Sequence, residues 1–348
     1  MNITIGKHII GESNKVFIIA ELSANHNQSI DIAVQTIRAA KEAGADAIKF
    51  QTYTPDTITI DCDNEYFKIK QGTIWDGTTL YKLYQRAFTP WEWQPKLKVM
   101  AEKIGLICFS SPFDRTAVDF LEKMNVPAYK IASFEITDLP LIEYVASKGK
   151  PVIISTGIAT LNDIETAVMT CKNANNEQIA LLKCTSEYPT LLEDVNLQTL
   201  TDLKDRFEVV VGVSDHTMSM VVPVSSVALG GRIVEKHFIL DRSVESPDSK
   251  FSLNPKEFKE MVQAVRDTEL SLGKVTYELS AKSLKSRELS RSLFIVKSVK
   301  KGEVLTAENI KSIRPGFGLP PKYLKEILGK KAAKDIERGT PLNWDLIE

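Results

Sequence analysis

Cysteine is scarce: four in 348 residues, with no Cys-x-x-Cys pair. That excludes a disulfide framework or a thiolate metal cage. Cys108 and Cys184 lie inside apolar, strand-like runs, so buried thiols in a reducing compartment are expected, with Cys62 and Cys171 as the other two. No apolar run reaches the roughly eighteen residues that a membrane helix needs. Charge of one sign is also missing. The chain has 44 Lys and Arg against 45 Asp and Glu, for a net charge of −1. Neither nucleic acid nor an anionic membrane is favoured as a partner. No Gly-x-Gly-x-x-Gly follows the first apolar run and no Walker-type loop occurs, which argues against a nucleotide. The opening stretch, Met1-Asn-Ile-Thr-Ile-Gly6, has no basic segment leading into an apolar one, so a cytoplasmic protein is expected.

Histidine is rare too, with four in the chain, and two of them stand in one stretch. It reads Val209-Val-Val-Gly-Val-Ser-Asp-His216, a helix-length apolar segment, then Ile233-Val-Glu-Lys-His237-Phe-Ile239. If both runs are parallel strands of one sheet, His216 and His237 emerge side by side at the edge where α/β enzymes build their sites. Asp215 and Glu235 lie close by in sequence, and together these residue types suit a metal or an acid–base centre.

Up to about residue 275 the chain alternates short apolar runs with helix-period segments. The runs are 16–23, 47–52, 106–111, 128–133, 151–156, 179–185, 209–216 and 233–239. Between them, Ala33, Val34, Ile37 and Ala40 share a helical face that stops at Gly44. Asp114 reads as an N-cap ahead of Ala117, Phe120, Leu121 and Met124. Thr160 with Asp163 reads as a capping box, and Asn254-Pro255 as a cap followed by a first-turn proline. Eight such units fit a (β/α)8 TIM barrel. The domains expected are a barrel over 1–279, a basic linker over 280–290 and a small domain over 291–348.

One connection, 53–89, is too long for a simple loop. It carries Trp75 and Tyr84 and reads either as a lid over a site or as loop packing. In the tail, Lys297-Ser-Val299-Lys-Lys-Gly302-Glu-Val-Leu305 is echoed by Lys334-Asp-Ile336-Glu-Arg-Gly339-Thr-Pro-Leu342. That echo predicts a pseudo-twofold domain of short strands and turns. Between the copies, Arg314-Pro-Gly-Phe-Gly-Leu-Pro320 is a turn-rich loop that holds Arg314 outward.

The ends of the eight runs are rich in hydrogen-bonding and charged groups. They carry Glu21, Lys49 and Gln51, Ser110 and Ser111, Lys130, Ser133 and Glu135, and Ser155 and Thr156. Thr185, Ser186 and Tyr188 follow, then Ser214 with His216 and Glu235 with His237. Charges in a barrel mouth are costly unless paired or liganded. Two lysines with several hydroxyls suit a small phosphate or carboxylate. Two imidazoles with open positions suit a divalent ion acting on a carbonyl. Spacing alone leaves lyase, aldolase, isomerase and synthase open.

The motifs narrow this. Glu21-Leu-Ser-Ala-Asn-His-Asn27, Lys49-Phe-Gln51, Thr89-Pro-Trp-Glu-Trp93 and Phe109-Ser-Ser-Pro-Phe-Asp114 run in order with Lys130-Ile-Ala-Ser-Phe-Glu135. Ser155-Thr-Gly157, Cys184-Thr-Ser-Glu-Tyr-Pro189, Ser214-Asp-His216 and Glu235-Lys-His237 follow. Together they resemble the sialic acid synthase family, and the tail resembles its antifreeze-like (SAF) domain. Trp75-Asp-Gly-Thr-Thr-Leu-Tyr81 and Pro247-Asp-Ser-Lys-Phe-Ser-Leu253 look most like the branch that makes pseudaminic acid.

The resemblance implies condensation of phosphoenolpyruvate with an open-chain amino sugar and release of phosphate. It implies His216 and His237 as ligands of a divalent ion (Mn2+, Mg2+ or Co2+). Lys49, Lys130, Ser111, Ser133, Ser155 and Ser214 match positions around phosphoenolpyruvate. Glu135 matches a carboxylate that guides water, and Glu21 one beside the sugar, both counted as catalytic with the two histidines. Gln51, Tyr188, Ser186 and Asp248 match positions around the sugar. Arg314 matches an arginine supplied by a partner subunit, which implies a domain-swapped homodimer. The expected acceptor is 2,4-diacetamido-2,4,6-trideoxy-L-altrose, a 6-deoxy diacetamido sugar. The alternatives are a neuraminate or legionaminate synthase and a non-catalytic carbohydrate-binding barrel. A further reading, a Schiff-base aldolase on Lys130 or Lys49, also stays open.

Overall fold

Each of the eight apolar runs becomes a strand, and the sheet closes on itself. The computed structural model describes residues 1–70, 72, 74–187 and 190–348. A hairpin comes first, β1 (Asn2–Ile5) and β2 (His8–Gly11). The barrel strands are β3 (Phe17–Glu21), β4 (Ala47–Thr52), β5 (Ile107–Pro112) and β6 (Tyr129–Ile131). They continue as β7 (Val152–Ser155), β8 (Ile179–Cys184), β9 (Val210–Asp215) and β10 (Ile233–His237). All pair in parallel and in chain order, and β10 closes onto β3, with His237 opposite Glu21. Both faces of such strands are covered, which is why the runs are almost continuously apolar.

The helices start where the side chains dictate. Asp114 accepts hydrogen bonds from the amides of Thr116 and Ala117, and Thr160 and Asp163 form a reciprocal capping box. Asn254 and Glu257 form another, with Pro255 at the first helical position. Removing such a cap costs about 1 kcal/mol. Ala33, Ile37 and Ala40 are buried, as are Phe258, Met261, Val262 and Val265, so these faces dock on the barrel. Each fully buried aliphatic or aromatic side chain contributes about 1.5–3 kcal/mol.

The hairpin was not read from the sequence. Its signal is the alternation of Ile3, Ile5 and Ile10, all buried in the barrel core, around the positive-φ Gly6 turn. Gly6 lies against Ile107 at the start of β5, so the hairpin meets the N-terminal end of the barrel, away from the histidines.

The chain divides into two units, Met1–Gly273 and Lys274–Glu348. The 280–290 stretch read as a linker contains a short helix, Ala281–Arg287, capped by Ser280. In the second unit β11 (Ser292–Ile295) pairs with β12 (Ile310–Ile313). Val299 and Ile336, equivalent positions of the echoed motif, exchange both backbone hydrogen bonds. The amide of Gly302 donates to Ala332 and that of Gly339 to Ile295, again a symmetry-related pair. Leu305 and Leu342 are both buried in this unit's own core. The repeat is thus a pseudo-twofold.

Candidate active site at the strand ends

The alternation of β10 sends Glu235 and His237 to one face and Lys236 to the other. His216, just past β9, joins them: the two imidazole centroids stand 5.2 Å apart, tilted by 53°. Asp215 does not. It faces outward and pairs with buried Lys236, Nζ 2.5 Å from Oδ2, while its other oxygen accepts from the Thr217 amide. Of the two carboxylates next to the histidines in sequence, Glu235 alone belongs to the site.

Glu235 is where the cations converge. Lys49 Nζ lies 3.5 Å and Lys130 Nζ 3.6 Å from its Oε1, and Ser214 donates to the same oxygen at 3.3 Å. Lys49 also reaches Glu21 Oε2 at 2.5 Å, so it bridges two buried carboxylates. Burial opposes charge on all four groups, and neighbours decide the outcome. Burial raises Glu21, and Lys49 offsets only part of that. Burial would raise Glu235 too, but Lys130 and Lys49 hold it below its ordinary range. Burial would depress Lys49, yet Glu21 and Glu235 keep it raised. Lys130, with less carboxylate beside it, falls below the ordinary amine value.

Lys49, Lys130 and Glu235 line a cavity of about 180 Å³ that opens at the C-terminal ends of the strands. Lys49, Lys130, Ser133, Ser155, Ser214, His216, His237, Gln51 and Asp248 all border it. Ser155 Oγ is buried and has no hydrogen-bond partner among the described residues, as fits an oxyanion-seating hydroxyl. Ser133 Oγ accepts from the Gly157 amide at 3.1 Å. A Cβ on Gly157 would sit 2.0 Å from Ser186 Oγ and 2.7 Å from Ser133 Oγ, so the close approach of three segments requires glycine there.

Other expected residues stand behind this layer. Ser111 accepts from Lys49 at 3.3 Å. Glu21 is fully buried and reaches the cavity through Lys49. Glu135 ends a 3-10 turn, Ser133–Glu135, where burial pushes its carboxyl up to about 7 against the pull of Lys130. Its Oε2 is buried without a hydrogen-bond partner among the described residues. Ser186 touches Cys184 rather than the cavity, at 3.7 Å. Arg314 is exposed in the second unit, beside the cis Arg314–Pro315 bond. Tyr188 lies outside the described residues. Residues missed in the sequence are Ser23, Tyr53, Phe113, Cys184 and Phe251, all at the cavity. Ser23, Tyr53 and Phe113 lie just after strand ends and Cys184 ends β8, which was the available signal. Phe251 lies in a 3-10 turn, Ser249–Phe251, well past β10 and carried no such signal.

The 53–89 segment forms one wall. It holds helices Pro55–Ile58 and Leu80–Ala87. Trp75 donates its indole N–H to the Pro247 carbonyl at 2.9 Å and sets its ring edge-on to Phe251. The far end of the segment is tied down by His26, which hydrogen-bonds Thr89 at 3.1 Å and is wholly buried. His26 is therefore a structural histidine.

The imidazole pair fits a divalent ion. Among the described residues the buried His237 Nδ1 has no hydrogen-bond partner, and Asp248 Oδ2 stands 3.7 Å from it. Burial, reinforced by His216, keeps His237 well below the ordinary imidazole range and hence neutral. His216 donates Nδ1–H to the Thr185 carbonyl at 3.1 Å, which places its basic lone pair on Nε2. Burial lowers His216, but Cys184 and Thr185 more than offset it, so a cation and a proton compete for this ring. Among the described residues, no group of three or more His, Cys, Asp or Glu gathers in metal-holding geometry. Two nitrogens with the remaining positions left to water and substrate match a catalytic rather than a structural centre.

The NeuB family pattern matches residues 36–277, and the SAF domain pattern matches 290–348. The chain belongs to the NeuB family. Among NeuB relatives, a pseudaminic acid synthase of Campylobacter jejuni is 52% identical over 94% of this chain and 95% of its own. An N,N'-diacetyllegionaminic acid synthase of Legionella pneumophila is 36% identical over 97% of this chain and 96% of its own. A crystal structure of the N-acetylneuraminic acid synthetase from Leptospira borgpetersenii, in complex with citrate, superposes with a TM-score of 0.73. It is 32% identical and covers 82% of this chain and 95% of its own. The family and the fold expected from the motifs both stand. Among the described residues no helix is long and apolar enough to cross a membrane.

Proposed function

We propose that this NeuB chain is a pseudaminic acid synthase. It joins phosphoenolpyruvate to 2,4-diacetamido-2,4,6-trideoxy-L-altrose and water, releasing phosphate and the nonulosonate. The observation that carries this is the convergence of Lys49, Lys130 and buried hydroxyls beside two imidazoles in one cavity. The branch rests on the 52% identity to the Campylobacter relative, against 36% for the legionaminate synthase.

Lys49, Lys130, Ser133, Ser155 and Ser214 seat the phosphate and carboxylate of phosphoenolpyruvate, with Ser111 and Glu21 orienting Lys49. The C2–C3 π pair of the enol forms the new C–C bond to the sugar aldehyde carbon, and C2 is left electron-deficient. The aldehyde π pair moves onto its oxygen, which takes a proton to become a hydroxyl. Water adds to C2, and C–O cleavage expels phosphate. Glu135, with its carboxyl near 7, is poised to take the proton of that water near neutral pH. His216 and His237 would hold the divalent ion, whose chemistry there is Lewis-acid polarisation of the aldehyde. Asp248 and Gln51, which border the cavity, are assigned to the acceptor side, and Ser186 and Tyr188 are assigned to the sugar by the family resemblance alone.

The site is completed, in this reading, by Arg314 of a second copy in a domain-swapped homodimer. Support comes from the family resemblance, in which Arg314 matches an arginine supplied by a partner subunit, and from the exposure of Arg314 in the second unit. Four free cysteines suit the cytoplasm.

The test offers three acceptors with phosphoenolpyruvate and Mn2+ and follows phosphate release. They are the altrose derivative, the legionaminate precursor and N-acetylmannosamine. Turnover of the first is expected to dominate. Turnover of N-acetylmannosamine alone would remove the pseudaminate assignment and leave the family untouched. Sugar binding without phosphate release would favour the non-catalytic barrel. Borohydride trapping of an adduct on Lys130 or Lys49 would favour a Schiff-base aldolase.

A further inference from the structure

The cavity has two chemical characters. Its strand-end floor is polar, with the charged Lys49, Lys130 and Glu235 beside the two histidines. The 53–89 segment adds Tyr53 and Tyr84, with their phenol hydroxyls, and an apolar set of Ile58, Trp75, Leu83 and Ala87, joined by Phe113 and Phe251. Leu83 and Ala87 are one turn apart on helix Leu80–Ala87, so one helical face supplies both. Ile58 ends the neighbouring helix Pro55–Ile58. The single polar atom of Trp75 is committed to the Pro247 carbonyl. These side chains are partly buried and border open space, so an apolar ligand edge placed there removes further apolar surface from water.

We propose that the wall of Ile58, Trp75, Leu83 and Ala87 is the specificity-determining surface for the acceptor's C6 end. It receives a methyl group and disfavours a hydroxymethyl group. This rests on the synthase reading above and adds the residues that select a 6-deoxy sugar. A hydroxyl pressed against these carbons loses its hydrogen bonds to water and gains none from them. Hydrophobic pockets discriminate against an added hydroxyl by about 100-fold at most, so the selectivity expected is about 10- to 100-fold in kcat/KM. The phosphoenolpyruvate end, held by the strand ends, is indifferent to the wall.

The experiment compares 2,4-diacetamido-2,4,6-trideoxy-L-altrose with its 6-hydroxy counterpart, using wild type, Leu83→Asn and Ala87→Ser. Wild type is expected to prefer the deoxy sugar by about tenfold or more. Each variant should lower that preference several-fold while the KM for phosphoenolpyruvate holds. Ala87→Ser adds one hydroxyl to the same face and reads the effect should Leu83→Asn fail to fold. A wild-type preference that survives both substitutions overturns the wall. So does a wild type that uses the two sugars equally. A loss of kcat/KM equal for both sugars also overturns it, because the wall would then touch some other part of the acceptor. Exclusive use of N-acetylmannosamine overturns the synthase reading and the wall together, so the two failures are distinct.

Discussion

Lys49 on β4 lies 2.5 Å from Glu21 on β3, and both side chains are almost wholly buried. The pair reaches the cavity through the lysine, so one ammonium both bridges buried carboxylates and faces the cavity. Lys49→Met strands Glu21 and Glu235 without their shared cation, and breaking a buried pair in this way costs about 3–5 kcal/mol. The expected outcome is a lower unfolding midpoint together with a sharply raised KM for phosphoenolpyruvate. A variant with unchanged stability would contradict the bridging role.

Glu135 titrates in the working range. Its carboxyl sits at about 7 when folded against an ordinary 4.5, with burial as the main cause. The folded chain therefore binds the extra proton between these values. This contribution to stability is complete below about 4.5 and is lost as the pH rises through about 7. Glu135→Gln has no such proton to lose, so its stability relative to wild type should rise from pH 4.5 to 7. Urea unfolding at several pH values checks the sign. The same variant should turn over about 100-fold more slowly or worse if the carboxylate handles the water proton.

Gly157→Ala puts a methyl where Ser186 and Ser133 hydroxyls already stand, 2.0 and 2.7 Å from the new carbon. Ser133 must move, and the contact proposed for it with the phosphoenolpyruvate end goes with it. A several-fold rise in KM for phosphoenolpyruvate is expected, with less change for the sugar. The steady-state split between the two substrates tests this.

Much of this was readable from residues. The eight strands follow from β-branched runs, and Thr160, Asp114 and Asn254 announce their helices because caps act locally. The two histidines could be placed together because parallel strands share an edge. What could not be read is facing. Asp215 and Glu235 look equivalent in sequence, yet one backbone step turns Asp215 outward to Lys236 and Glu235 inward to Lys49 and Lys130. Nor does sequence say that Glu21 and Ser111 stand behind Lys49, because that depends on the stagger of β3, β4 and β5. His26, beside strand-end candidates, turns out to fasten Thr89. The apolar wall was hidden because the segment that builds it is short helices joined by loop.

Arg314→Ala should slow turnover although the residue belongs to the second unit. Mixed with a barrel-inactive chain such as Lys130→Met, it should regain part of the activity as hybrid dimers form. Phosphate release from the mixture measures this. No recovery on subunit exchange would speak against a site shared between two chains.

The central claim is that His216 and His237 act together on one divalent ion. The direct measurement is equilibrium titration of Mn2+ into wild type, His216→Ala and His237→Ala, with circular dichroism to monitor the fold. Wild type should bind one ion per chain. Each variant should stay folded while losing about 100-fold or more in affinity, and chelator should abolish phosphate release by wild type. A folded His237→Ala that binds Mn2+ as tightly as wild type, or undiminished turnover in chelator, would contradict the account.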